Sequence, residues 1–146
     1  MNMLQVYIKG QEDKELSSFL RYYPVRIKNI GMDAFFDRQV VYDFKDDRNH
    51  ADVVKCVAKM LIKVVGERTA VHGTKVKKDE REKRLKEKNN IEVDANFFKN
   101  KIVCIWDDVI TTGTSFCAYT AQLEQVGGHV TNGIFLGKTS YKYVQQ

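Results

Sequence analysis

Between His50 and Val65 the stretch HADVVKCVAKMLIKVV sets Lys55, Lys59 and Lys63 four residues apart on one stripe, with Val53, Val54, Val57, Met60, Leu61 and Val64 filling the rest. That spacing predicts a helix over 50–65, with Asn49 placed to cap it. A second helical pattern is carried by Phe116, Tyr119, Leu123 and Val126 and stops at Gly127 and Gly128. Shorter apolar and β-branched runs predict strands in MLQVYI near the start, RQVVYDF at 38–44, KIVCIW at 101–106 and HVTNGIFLG at 129–137. The stretch GQEDKELSSFLRYYP reads as a polar loop or short helix stopped by Pro24, ERTAVHG at 67–73 as a short strand or extended entry, and Asn100 as a turn.

From residue 101 onward the order is strand, acidic and glycine-containing loop, helix, strand. This is the layout of a βαβ unit, which builds parallel sheets with ligands at the carboxyl ends of the strands. The predicted class is therefore α/β, a mainly parallel sheet flanked by helices, in a single domain over residues 1–146.

Composition changes this picture in three ways. A hydrophobic content of 43% over 146 residues is that of a globular domain. Cys56, Cys104 and Cys117 form no CxxC pair and fall in apolar or periodic segments, which predicts buried free thiols in a reducing compartment. The net charge of +5 is mostly local: HGTKVKKDEREKRLKEKNN at 72–90 holds eight Lys and Arg against four Asp and Glu. That stretch is expected to be an exposed loop. No segment has the apolar length to span a bilayer, so a soluble, cytoplasmic protein without membrane partners is expected.

The chemistry concentrates in IVCIWDDVITTGTSF at 102–116. Asp107 and Asp108 end an apolar run and must reach water, a metal or a ligand, because unpaired buried charge is costly. In TTGTS, Gly113 permits a sharp turn and close backbone approach, successive amides can converge on an anion, and a helix start adds its positive dipole end. Thr111, Thr112, Thr114 and Ser115 add hydroxyls, so the loop reads as a phosphate cup that works without Lys or Arg; a P-loop is excluded because GxxxxGK[ST] is absent. Carboxylates beside a phosphate cup suit the neighbouring hydroxyls of a sugar phosphate. The bland alternative is a capped turn whose threonines merely satisfy backbone. A side chain at Gly113 is expected to fill the cup.

VCIWDDVITTGTS resembles the ribose-phosphate signature of type I phosphoribosyltransferases, four mostly apolar positions, two acids and a Thr/Ser-rich glycine loop. The order of RQVVYDFKDDRNHADVV, ERTAVHG, the basic loop, FFKNK and GIFLGKT is similar to the ComF-like (competence protein F) branch, covering about two-thirds of the chain. The resemblance implies a shortened type I phosphoribosyltransferase-like fold. It also implies phosphoribosyl pyrophosphate as substrate, with its 2′ and 3′ hydroxyls on Asp107 and Asp108 and its 5′-phosphate in the cup from Ile110 through Thr111, Thr112, Gly113 and Thr114 to Ser115. Asp107 and Asp108 would also be the catalytic and Mg²⁺-holding carboxylates.

The family's second strand-end loop, which grips pyrophosphate, has no counterpart in the sequence pattern; the only proline, Pro24, lies away from any such context. The paired-cysteine zinc module of many ComF-type proteins is absent, and His50, His72 and His129 are scattered. The basic loop, with Lys75, Lys77, Lys78, Arg81 and Arg84, reads as a lid meeting pyrophosphate or as a solvated surface; a nucleic-acid contact is opposed by its interleaved acids and lack of aromatics. The expected function is phosphoribosyl transfer with loss of pyrophosphate. The alternative is a non-catalytic phosphoribose-binding or competence-related DNA-uptake protein. A homodimer is a family expectation.

Overall fold

The computed structural model describes residues 3–46, 48–65, 74–76 and 91–144. Its main sheet has four strands, β1 (Leu4–Gln5), β2 (Glu15–Tyr22), β5 (Ile102–Ile110) and β6 (His129–Thr139), in the order β1-β2-β6-β5. β2, β6 and β5 run parallel, and β1 is antiparallel to β2. The helices are α1 (Met32–Lys45), α2 (His50–Val65), α3 (Ala95–Phe98) and α4 (Thr114–Gln125). β3 (Thr74–Val76) and β4 (Ile91–Val93) form a separate antiparallel ribbon. The α/β class with a mainly parallel sheet is thus observed.

The central strands bury both faces, as parallel strands do. On one face Phe116 and Leu123 of α4 pack with Leu16, Ile105, Ile110 and Phe135. On the other Val41 of α1 and Val53 and Val57 of α2 pack with Tyr22 and Leu136. Neighbouring Phe135 and Leu136 point into opposite layers, which is the alternation of a strand.

Two elements differ from the sequence reading. GQEDKELSSFLRYYP supplies β2 rather than a loop or helix; buried Ser18 satisfies its hydroxyl on the carbonyls of Leu20 (2.9 Å) and Leu136 (3.4 Å), so a polar residue sits in a central strand without loss. RQVVYDF is not a strand but the second half of α1. Because β2 and β6 are parallel, the chain must travel back across the sheet between them, and α1 makes that return despite its paired valines.

The predicted ends of α2 and α4 are close to those observed. Asn49 precedes α2 and its carbonyl accepts from Asp52 and Val53, while its side-chain amide donates to Asp43 (3.1 Å), tying α1 to α2. α4 closes with the amide of Gly128 on the carbonyl of Leu123 and that of Gly127 on Glu124, with Gly127 at φ 93°, a Schellman ending. Cys56 and Cys104 are exposed and Cys117 half-buried, contrary to the expectation of buried thiols: Cys56 lies on the solvent side of α2 and Cys104 on the sheet's outermost strand. No helix among the described residues is long and apolar enough to cross a membrane.

Candidate functional site

β5 does not stop at Trp106. Val109 and Ile110 continue its apolar pattern into the two core layers, so pairing with β6 persists to Ile110↔Lys138 and carries the acids inside the strand, with Asp107 opposite Phe135. The acids therefore stand within the strand rather than at its mouth. The side chains fold back onto the main chain: Asp107 Oδ1 accepts from the amide of Asp108 (2.8 Å), and Asp108 Oδ1 from that of Val109 (2.7 Å). Burial is the main force raising the Asp107 carboxyl from 3.8 to about 6; the Asp108 charge adds to it, while the Asp108 amide and the Lys45 ammonium on α1 oppose it. The charge of Asp108 also reaches Tyr22, whose hydroxyl is pushed up to about 12 by burial and by its hydrogen bond to Tyr42.

Beyond Ile110 the chain bends through Thr111, Thr112 and Gly113 into α4. Gly113 takes φ 84°, the left-handed conformation that favours glycine, and its carbonyl accepts the first helical bond from Cys117 (2.9 Å). The amides of Thr112 to Phe116 have no acceptor among the described residues. Four of these five sit at the start of a 12-residue helix, where the dipole favours an anion. Thr111, Thr112, Thr114 and Ser115 are exposed. Their hydroxyls pair locally, Thr112 with Thr114 (2.9 Å) and Thr111 with Thr139 at the end of β6 (2.8 Å). Three residue steps, about 10 Å of extended chain, take the chain from Asp108 to Thr111, a span that a five-carbon sugar phosphate hydrogen-bonded at both ends can bridge.

One expectation about the cup is corrected. A Cβ on Gly113 would lie 2.7 Å from Cδ1 of Ile8, in the loop after β1, so it would enter the core beneath the cup rather than the cup itself. Ile8, like Thr139 and Lys45, is a neighbour that only the three-dimensional register brings to the site.

No known family profile matches this chain, and no curated protein or solved structure gives a significant match. The site is therefore read from its own geometry.

Asp107 and Asp108 offer two adjacent carboxylates whose mutual repulsion a divalent cation would relieve, so they fit Mg²⁺, which needs few protein ligands. No group of three or more His, Cys, Asp or Glu converges on a metal position among the described residues. Of the basic stretch 72–90, Thr74–Val76 form β3; Lys77, Lys78, Arg81 and Arg84, expected in a lid or a solvated surface, and the short strand or extended entry expected over 67–73, lie outside the described residues.

A shallow depression of about 450 Å³ lies at the opposite end of β6, beside Asp13, Glu124, His129 and Thr131. Its acids are already engaged by buried Lys14, at 3.2 Å from each. Burial works against the Lys14 charge, but the two carboxylates outweigh it and hold the ammonium above its ordinary value. That end is a closed ion-pair network, whereas the cup end carries unpaired donors.

Proposed function

We propose that the chain is a type I phosphoribosyltransferase-like protein that binds phosphoribosyl pyrophosphate at the carboxyl edge of its parallel strands and transfers the phosphoribosyl group with loss of pyrophosphate. The observation that carries this reading is the run of unpaired amides from Thr112 to Phe116 at the start of α4, directly after a parallel strand bearing two adjacent aspartates.

The 5′-phosphate fits the amides and hydroxyls of Thr111 to Ser115, and the ribose hydroxyls fit Asp107 and Asp108. Pro24 opens a loop, residues 23–31, directly at the carboxyl end of β2, and Tyr22 of β2 pairs with Thr139 of β6, which touches Thr111. Once the strands are assembled, Pro24 is therefore on the same edge as Thr111, which supports loop 23–31 as the candidate for a pyrophosphate-gripping loop. It carries Arg26 and Lys28, and no acidic residue occurs between Leu16 and Met32.

Cleavage of the C1–O bond to pyrophosphate leaves positive charge on the ribose ring and negative charge on the leaving group. Asp107 and Asp108 face the ring charge. Either of the two carboxylates could take the proton of an incoming nitrogen nucleophile, and burial, which raises Asp107 to about 6, suits it to that exchange at neutral pH. Asp107 and Asp108 are the residues that would hold Mg²⁺, which would supply charge neutralisation for the departing pyrophosphate.

Titration with phosphoribosyl pyrophosphate with and without Mg²⁺, followed by pyrophosphate-release assays over purine and pyrimidine bases, tests the proposal. Binding with release supports the transferase. Binding with no release for any acceptor identifies a non-catalytic phosphoribose-binding protein, and absence of binding removes both.

A further inference from the structure

Loop 23–31 is held from two sides. From below, the Arg38 guanidinium on α1 donates to three main-chain carbonyls at once, Tyr23 (2.6 Å), Pro24 (3.2 Å) and Ile27 (2.5 Å). From above, the segment after β6 lies across the loop. Tyr143 makes an edge-on contact with Tyr23 (5.3 Å between centroids), its hydroxyl closes over Gly31, and Tyr141 sits under the Arg26 guanidinium (4.4 Å). An arginine spent on backbone carbonyls with no carboxylate partner among the described residues is unusual, because its fork matches carboxylates and phosphates.

In a planar trans peptide the carbonyl and the following amide point in opposite directions. Drawing the Pro24 and Ile27 carbonyls towards α1 therefore turns the amides of Val25 and Lys28 away from it, and neither has an acceptor among the described residues. The turn is fixed further by the Ile27 amide on the Pro24 carbonyl (2.8 Å). Two unpaired amides beside the exposed side chains of Arg26 and Lys28 make a set of donors for an anion.

We infer that Arg38 is a positioning residue, which never touches the ligand but sets the amides of Val25 and Lys28 to receive its pyrophosphate half. This rests on the function proposed above and adds the device that shapes the second loop. β2 and β5 lie two interstrand spacings apart, about 10 Å, a separation suited to a sugar with a phosphoryl group at each end.

The test uses three probes that divide the two halves of the edge: ribose 5-phosphate for the cup, inorganic pyrophosphate for the loop, and phosphoribosyl pyrophosphate for both, each with Mg²⁺. In the full wild-type chain, pyrophosphate should shift the amide resonances of Val25 and Lys28, and ribose 5-phosphate those of Thr112 to Ser115. Arg38→Gln should weaken pyrophosphate and phosphoribosyl pyrophosphate by about tenfold or more, the loss typical of charge-assisted hydrogen bonds, while ribose 5-phosphate stays within about twofold. Arg38→Lys, which keeps the charge and part of the donor set, should fall between.

Equal losses for all three probes, or no loss, would overturn the positioning role. If Arg38→Gln does not fold, unmoved Val25 and Lys28 resonances in wild-type protein saturated with pyrophosphate overturn it just as directly. Wild-type binding of ribose 5-phosphate without pyrophosphate refutes this inference while sparing the cup; binding of neither refutes both.

Discussion

Asp107→Asn should make the protein more stable at neutral pH and leave it unchanged in acid. The folded state raises this carboxyl from 3.8 to about 6, chiefly by burial, so the native protein holds the proton more tightly than the unfolded chain. Between these two values the native state binds more protons, and stability falls as pH rises through the window. Above about pH 6 the full cost of keeping a charged carboxylate beside Asp108 persists. The rise is equivalent to about 3 kcal/mol, and solvent access together with the shared charge of Asp108 reduces the expected gain on neutralisation to about 1–3 kcal/mol. Asparagine retains Oδ1 as the acceptor for the Asp108 amide, so the strand contact survives.

For a chain of this length each kcal/mol corresponds to roughly 2–4 °C in Tm. Thermal unfolding without divalent cations, followed by circular dichroism from about pH 4 to about pH 8, should show the variant ahead by several degrees at the alkaline end and level with wild type at the acid end. A variant that is less stable at the alkaline end, or whose offset is the same at every pH, would refute the electrostatic account.

Three further outcomes are expected. Asp107→Asn combined with Asp108→Asn should preserve far-ultraviolet circular dichroism but weaken ribose 5-phosphate binding by calorimetry; unchanged affinity would move the ribose away from these acids. Gly113→Ala should destabilise the fold by about 1–2 kcal/mol from the left-handed backbone alone, and by more through the contact with Ile8, in denaturant unfolding; a neutral result would contradict the tight packing beneath the loop. Leu136→Ala, at the fully buried centre of β6, should cost about 2–5 kcal/mol, and a smaller loss would mean that the α1–α2 layer closes over the gap.

What could be read from the sequence follows the range of the interactions involved. α2 and α4 were legible because their spacing and the Gly127–Gly128 ending are local, and β5 and β6 because their apolar runs are long. The glycine turn into α4 was legible because Thr111 to Ser115 are contiguous in the chain. β2 was hidden by Ser17, Ser18 and the acids before them; the burial of Ser18 depends on carbonyls supplied by Leu20 and Leu136. α1 was hidden by Val40 and Val41, whose strand preference yields to the need for a crossover between parallel strands. Lys45, Thr139 and Ile8 could not be assigned to the site by pattern, since only the assembled fold brings them together with residues 107–115. The same assembly brings Pro24 to the edge that bears the cup.

Ribose 5-phosphate added to isotopically labelled protein, with each backbone amide followed by NMR, tests the central claim most directly. The amides of Thr112, Gly113, Thr114 and Ser115 should move together and saturate with one affinity, while those around His129 at the far end of β6 stay fixed. Saturating ligand that leaves these four amides in place, or that moves the far end instead, would contradict the account.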